Sequence, residues 1–190
     1  ILPSEITLFV QAGDHRNSTR INFLEGSAVG FEKGYDVGKL KGNDHIALYS
    51  RIVDNSRKID LGVQSLPDVS YSTLSIPIGL DLPAGGETVF SLETVGFPEG
   101  ALVYIEDVEL ETKTLLNVED GKYTVTLPEV YGADRFKLVV ENYVSKNSTT
   151  NIDIESPEGT EYKVYTRDRN IIIEGESNQD TEFSLYNIEG

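Results

Sequence analysis

Residues 71–141 read YSTLSIPIGLDLPAGGETVFSLETVGFPEGALVYIEDVELETKTLLNVEDGKYTVTLPEVYGADRFKLVVE. Five short alternating apolar runs lie in this stretch, separated by Gly, Pro, Asp and Asn. Leu74, Ile76, Ile78 and Leu80 alternate with Ser75, Pro77, Gly79 and Asp81. Tyr123, Val125 and Leu127 alternate with Lys122, Thr124 and Thr126, and Phe136, Leu138 and Val140 with Lys137, Val139 and Glu141. A period of two sends every second side chain to one face, so each run buries one side and wets the other. That pattern predicts an all-β chain built as an antiparallel β-sandwich, of jelly-roll or Ig-like type.

Outward from this block the same reading continues. Ile6, Leu8 and Val10 form a first strand that stops at the Ala12-Gly13-Asp14 turn signal, and Ile21 and Phe23 mark a second, short one. Residues 25–44 carry Gly26, Gly30, Gly34, Gly38 and Gly42. Each glycine would cost a helix about 1 kcal/mol relative to Ala, so this segment is expected as a loop pinned by its apolar side chains. His45 to Val53 and Ile59 to Val63 are expected as strands joined by a hairpin of about five residues, after which Ser65-Leu66-Pro67 should break pairing. Glu119-Asp120-Gly121 is read as a hairpin turn. No segment is expected to be helical.

The composition bounds the partners. The chain has 190 residues with 16 Lys plus Arg against 32 Asp plus Glu, a formal charge of −16. Such a surface repels phosphate backbones and anionic lipid, which argues against nucleic acid and bilayer partners and leaves cations, basic surfaces and neutral glycans. There is no Cys, so neither disulfides nor thiol chemistry enter. No apolar run approaches the ~20 residues of a membrane span. The opening ILPSEITLFV has neither a basic flank nor a small-residue cleavage site, so the chain reads as part of a longer protein.

Catalysis has thin support. His15 and His45 are the two histidines, and neither sits in a catalytic motif. His15 is expected at a turn and His45 at a sheet edge. Glu106-Asp107 and Glu109-Leu110-Glu111 lie at a strand end, but neighbours on a strand point to opposite faces, and solvated strand-end charge is the expectation. The chain is therefore expected to be non-catalytic, with no catalytic, cofactor or metal residues assigned. Asp14, Asp36, Asp54, Asp60 and Asp107 are conceivable Ca²⁺ ligands without the spacing of a known loop, and zinc is poorer still with two His and no Cys. Tyr35, Tyr49, Tyr71, Tyr104 and Tyr131 are the rings on which a sugar would stack if the chain were a carbohydrate-binding module of a secreted polysaccharide-active protein.

After Glu141 the alternation fades. Residues 145–155 read as an exposed linker, dividing a domain at 1–144 from a small one at 156–190 with strand-like runs at Tyr162 to Thr166, Asn170 to Glu174 and Phe183 to Asn187.

A succession of short stretches carries a resemblance. They are Ile21 to Phe23, Gly30-Phe31-Glu32, Tyr35 to Leu40, Leu66-Pro67 and Ile76 to Gly79, followed by Val103 to Asp107, Tyr123-Thr124-Val125 and Asp134 to Leu138. In this order they resemble the C-terminal region of surface and secreted proteins exported by the type IX secretion system of Bacteroidota. In the tail, Lys163-Val164-Tyr165, Asn170 to Ile173 and Ser184 to Gly190 are similar to the opening strands of that family's type A sorting domain, a small Ig-like sandwich that normally continues with further strands. The resemblance implies a non-catalytic, adhesin-like stalk at the cell surface or secreted, followed by part of a sorting signal. It makes Val164, Tyr165, Ile171, Ile173, Leu185, Tyr186, Asn187 and Gly190 the sorting-motif-like positions. The implied partner is the outer-membrane secretion machinery, with an extracellular glycan or surface ligand as a further one.

Overall fold

A computed structural model describes residues 4–41, 45–54 and 58–145, together with the backbone of 163–167 and 170–174. The chain divides into two compact units, residues 1–147 and 148–190. Among the described residues there is no helix.

The first unit is one large sheet. Its strands are β1 (Ser4–Ala12), β2 (His15–Leu24), β3 (Val37–Gly38), β4 (Ala47–Ser50), β5 (Leu61–Pro67), β6 (Tyr71–Asp81), β7 (Gly86–Val95), β8 (Leu102–Asp107), β9 (Thr112–Leu115), β10 (Tyr123–Leu127) and β11 (Phe136–Tyr143). They pair in the order β10-β7-β1-β2-β5-β4-β6-β11-β8-β9, with β3 added to β5. All pairings are antiparallel except β2 with β5. The sheet nearly closes into a barrel, because its two end strands meet through side chains: Thr112 of β9 and Tyr123 of β10 are hydrogen-bonded at 3.3 Å.

The alternation of the sequence sets which side chains enter the core. Ile6, Leu8 and Val10 of β1, Leu74, Ile76, Ile78 and Leu80 of β6, Val103 and Ile105 of β8 and Leu138 and Val140 of β11 share one cluster. Burying each such side chain stabilises the fold by roughly 1.5–3 kcal/mol relative to leaving it in water. At one end of the core an aromatic group closes the packing. Phe23 stacks on Tyr143 with ring centroids 4.5 Å apart, Phe97 meets both edge-on, and the Tyr143 hydroxyl donates to Asp68 at 2.7 Å.

Several sequence expectations are corrected. The second strand is not short: β2 runs from His15, directly opposite Ala12, around a two-residue turn in which Gly13 has φ of 56°. Its first half is polar, which hid it. Ser65-Leu66-Pro67 does not break pairing but is the end of β5, with Leu66 opposite Phe23 and the proline at the last position. That pairing is parallel, and parallel neighbours need a long crossover. The glycine-rich segment begins that crossover, carrying β3, and β4 lies between it and β5. Thr112–Leu115, polar and without alternation, is a sixth strand in the 71–141 stretch where five runs were expected. Glu119-Asp120-Gly121 joins strands that pair with different partners, β9 with β8 and β10 with β7, so it bridges the sheet ends rather than closing a hairpin.

The described part of the second unit is a hairpin of β12 (Lys163–Arg167) and β13 (Asn170–Glu174), in which Val164 faces Ile173 and Tyr165 faces Ile172 in register.

Tyr49 of β4 sits directly opposite Gly79 of β6, and a Cβ at Gly79 would overlap the Tyr49 ring. Gly79→Ala is therefore expected to destabilise the fold by about 1–3 kcal/mol through overpacking. Urea denaturation checks this, and in the Tyr49→Leu background the cost of Gly79→Ala should shrink, a non-additivity that only direct contact produces.

Candidate functional site

Two polar clusters of the first unit hold its most heavily bonded carboxylates, Asp107 and Asp81. The first is centred on Asp107. Its carboxylate is fully buried and ion-paired to Arg135, whose side chain is 11% exposed. Arg135 donates from Nε to both carboxylate oxygens at 3.0 and 3.2 Å and from Nη2 at 2.8 Å. Tyr123 donates its hydroxyl at 2.9 Å, and the amides of Glu109 and Leu110 donate at 3.1 and 3.3 Å. Arg135 also holds Glu109 at 2.6 Å, and its backbone carbonyl accepts from the amide of Val108 at 2.9 Å. One carboxylate thus connects the end of β8, the start of β10 and the residue preceding β11, and Thr112 at the start of β9 joins through Tyr123.

The positions follow from local structure. Val103, Ile105 and Asp107 share the inward parity of β8, while Tyr104 and Glu106 point outward, where Glu106 meets Lys137 at 3.7 Å. The expected solvated strand-end charge holds for Glu106 and fails for Asp107. Burial pushes the Asp107 carboxyl up, but Arg135, Tyr123 and the Leu110 amide outweigh it and leave the group below its ordinary value.

The second cluster joins the crossover to β6. Asp81 accepts from Lys41 at 2.7 Å, from the Tyr49 hydroxyl at 2.9 Å and from the Gly132 amide at 3.2 Å. Lys41 also pairs with Asp60 at 2.7 Å, and Arg51 reaches Asp60 at 3.0 Å. The Lys41 ammonium lies over the Tyr49 ring, 4.3 Å from its centroid. Burial first, then Asp81, pushes the Tyr49 phenol up to about 12. Despite its burial, Asp81 is held below the ordinary carboxyl value by Lys41, Tyr49 and the Gly132 amide.

The five aspartates considered as Ca²⁺ ligands are not brought together. Asp107 is paired with Arg135 and Asp60 with Lys41 and Arg51. Asp36 accepts from the amides of Glu32 at 2.9 Å and Ser65 at 2.7 Å, stapling the glycine-rich segment to β5. Asp14 is exposed in the β1–β2 turn, and Asp54 is exposed beyond β4. Among the described residues no three His, Asp or Glu side chains stand together as a metal-ligand set.

The tyrosines divide as well. Tyr49 is buried, Tyr71 donates its hydroxyl to the Pro67 carbonyl at 3.2 Å, and the Lys113 ammonium covers Tyr104 at 4.3 Å from its ring centroid. Tyr35 and Tyr131 expose their surfaces, 58% and 59%, on different loops. His15 and His45 are both exposed, and their rings stack with centroids 4.2 Å apart. Of the sorting-motif-like positions, Val164, Tyr165, Ile171 and Ile173 lie in the β12–β13 hairpin, while Leu185, Tyr186, Asn187 and Gly190 lie outside the described residues.

What these clusters do chemically is hold the sheet together. Their carboxylates are paired with fixed cations rather than aimed into a cleft. Asp107→Asn preserves shape but leaves the Arg135 cation only the exposed Glu109 carboxylate as counter-charge, and is expected to cost about 3 kcal/mol in chemical denaturation. The double change Asp107→Leu with Arg135→Met should recover part of that loss, since no charge is then stranded.

Asp107 and Asp81 both have folded-state values below the ordinary 3.8. Their contribution is therefore complete above the unfolded-state value and is lost as pH falls through the lowered folded-state ones. Unfolding free energy should change little between about pH 5 and 7 on their account and drop below about pH 4. Denaturation in steps of pH checks the sign, and the acid loss should be shallower in Asp107→Asn.

In comparisons with known proteins, no protein-family model, no curated protein and no solved structure matches the chain.

Proposed function

We propose that the chain is a non-catalytic module of a type IX-secreted cell-surface or extracellular protein, an adhesin-like stalk followed by part of its sorting signal. The observation that carries this reading is the C-terminal hairpin. Residues 163–167 and 170–174, which are similar to the opening strands of a type A sorting domain, pair in register within a compact unit of their own. An exporter that recognises folded cargo can grip strand edges and loop side chains without needing a pocket.

The first unit suits a spacer. Its strongest polar contacts, at Asp107 and at Asp81, are directed at its own chain. We read its nearly closed sheet as the folded-over form of a β-sandwich of jelly-roll or Ig-like type, the arrangement that the resemblance implies. The alternative of a carbohydrate-binding module has less behind it, because of the five tyrosines considered the two most exposed, Tyr35 and Tyr131, belong to different loops.

The test uses the full-length gene in a type IX-competent bacterium, with a reporter inserted ahead of Ile1. The wild-type fusion is expected at the cell surface or in the medium. Val164→Asp with Ile173→Asp, opposite each other in the hairpin, is expected to leave the reporter in the periplasm. Equal export of both fusions would sink the reading.

A further inference from the structure

The two histidines, far apart in the chain, are side by side in the fold. His15 opens β2 and His45 precedes β4, and their rings lie nearly parallel, 12° between planes, at a centroid separation of 4.2 Å. Both are exposed. They line a recess of about 430 Å³ together with Ala12, Leu82 and Glu87.

The juxtaposition is built by the polypeptide. Asn17 shares the parity of His15 on β2 and clamps the segment that carries His45. Its Nδ2 donates to the Ile46 carbonyl at 3.1 Å, and its Oδ1 accepts from the Leu48 amide at 3.3 Å. Lys39 donates to the same oxygen at 2.6 Å and to the Ser18 carbonyl at 2.8 Å, which fixes the amide from the crossover side. The two imidazoles are thus held on adjacent backbone segments whose separation is set by hydrogen bonds, not by the rings themselves.

We propose that His15 and His45 form a binding site for a borderline divalent transition ion such as Zn²⁺, Ni²⁺ or Cu²⁺. Imidazole nitrogen suits these ions and not hard Ca²⁺ or Mg²⁺, which take oxygen donors. Two nitrogens on one tetrahedral Zn²⁺, each about 2.0 Å from it, stand about 3.3 Å apart. Reaching that spacing from rings stacked at 4.2 Å requires both exposed side chains to turn their edges toward each other. Each imidazole uses one nitrogen for the metal and keeps the other for a hydrogen bond. Among the described residues no third ligand stands within a ready-made set. Water therefore completes the coordination in the recess that the two rings line.

The experiment is calorimetric titration of the full, untagged chain with Zn²⁺, with Mg²⁺ in large excess to occupy the surface carboxylates. One Zn²⁺ per chain is expected to bind saturably, with that binding lost in His15→Gln and in His45→Gln while both variants keep the wild-type circular dichroism. Absence of saturable binding, or binding unchanged in either variant, overturns the proposal. Nitrogen-detected NMR of the wild-type imidazoles needs no variant: both rings should shift together as Zn²⁺ is added, and a shift in only one or in neither overturns it.

Discussion

A carboxylate with no access to water, on Asp107, is the constraint around which the first unit closes. The sheet begins at β10 and ends at β9, and nothing in backbone pairing joins those two strands. Asp107 supplies the join: Tyr123 at the start of β10 donates to it, Thr112 at the start of β9 bonds to Tyr123, and Arg135 neutralises it from just ahead of β11. A buried charge is costly unless paired and hydrogen-bonded, and this one has both. The geometry that satisfies it requires the ends of the sheet to be in place, so the cost of leaving it unsatisfied works against opening the seam. An apolar contact there would tolerate a slipped register far better than a bidentate guanidinium does.

Elsewhere the acidic excess is arranged by the same logic. Asp36, Asp60 and Asp81 fasten the glycine-rich crossover and the loop before β5 to the sheet through two backbone amides and through Lys41 and Arg51. The crossover has few apolar anchors of its own; Val29, Phe31, Tyr35, Val37 and Leu40 are exposed. Ionic and amide contacts therefore take the place that packing has in the strands. The parallel β2–β5 pair depends on this segment, since without a crossover of that length the two strands could not run the same way.

Much of the fold was legible. The inward parity of Ile6-Leu8-Val10, Leu74-Ile76-Ile78-Leu80 and Phe136-Leu138-Val140 is visible in the chain, and those residues form the core as read. Polar strands were not legible. β9 and the first half of β2 are built almost wholly from polar residues, so no hydrophobic period marks them. A usable signal for the Asp107 site did exist: an acid continuing the inward parity of Val103 and Ile105 is a buried acid, and a buried acid needs a cation. Which cation could not be read, because Arg135 arrives from the bend just ahead of β11, 28 residues further along the chain. The histidine pair had no signal at all, as its two members come from segments about thirty residues apart that Asn17 ties together in the fold.

The amino-acid order alone determined that the chain is all-β, which side chains face inward along most strands and where the main turns fall, because a period of two and the chemistry of Gly, Pro, Asn and Asp act over a few residues. Strand order, the parallel pairing, the near-closure of the sheet and the partners of Asp107 and His15 were decided only by tertiary structure. Those are matters of which distant segments meet, and what selects them is the simultaneous satisfaction of buried charge, amide hydrogen bonds and apolar packing across the whole unit.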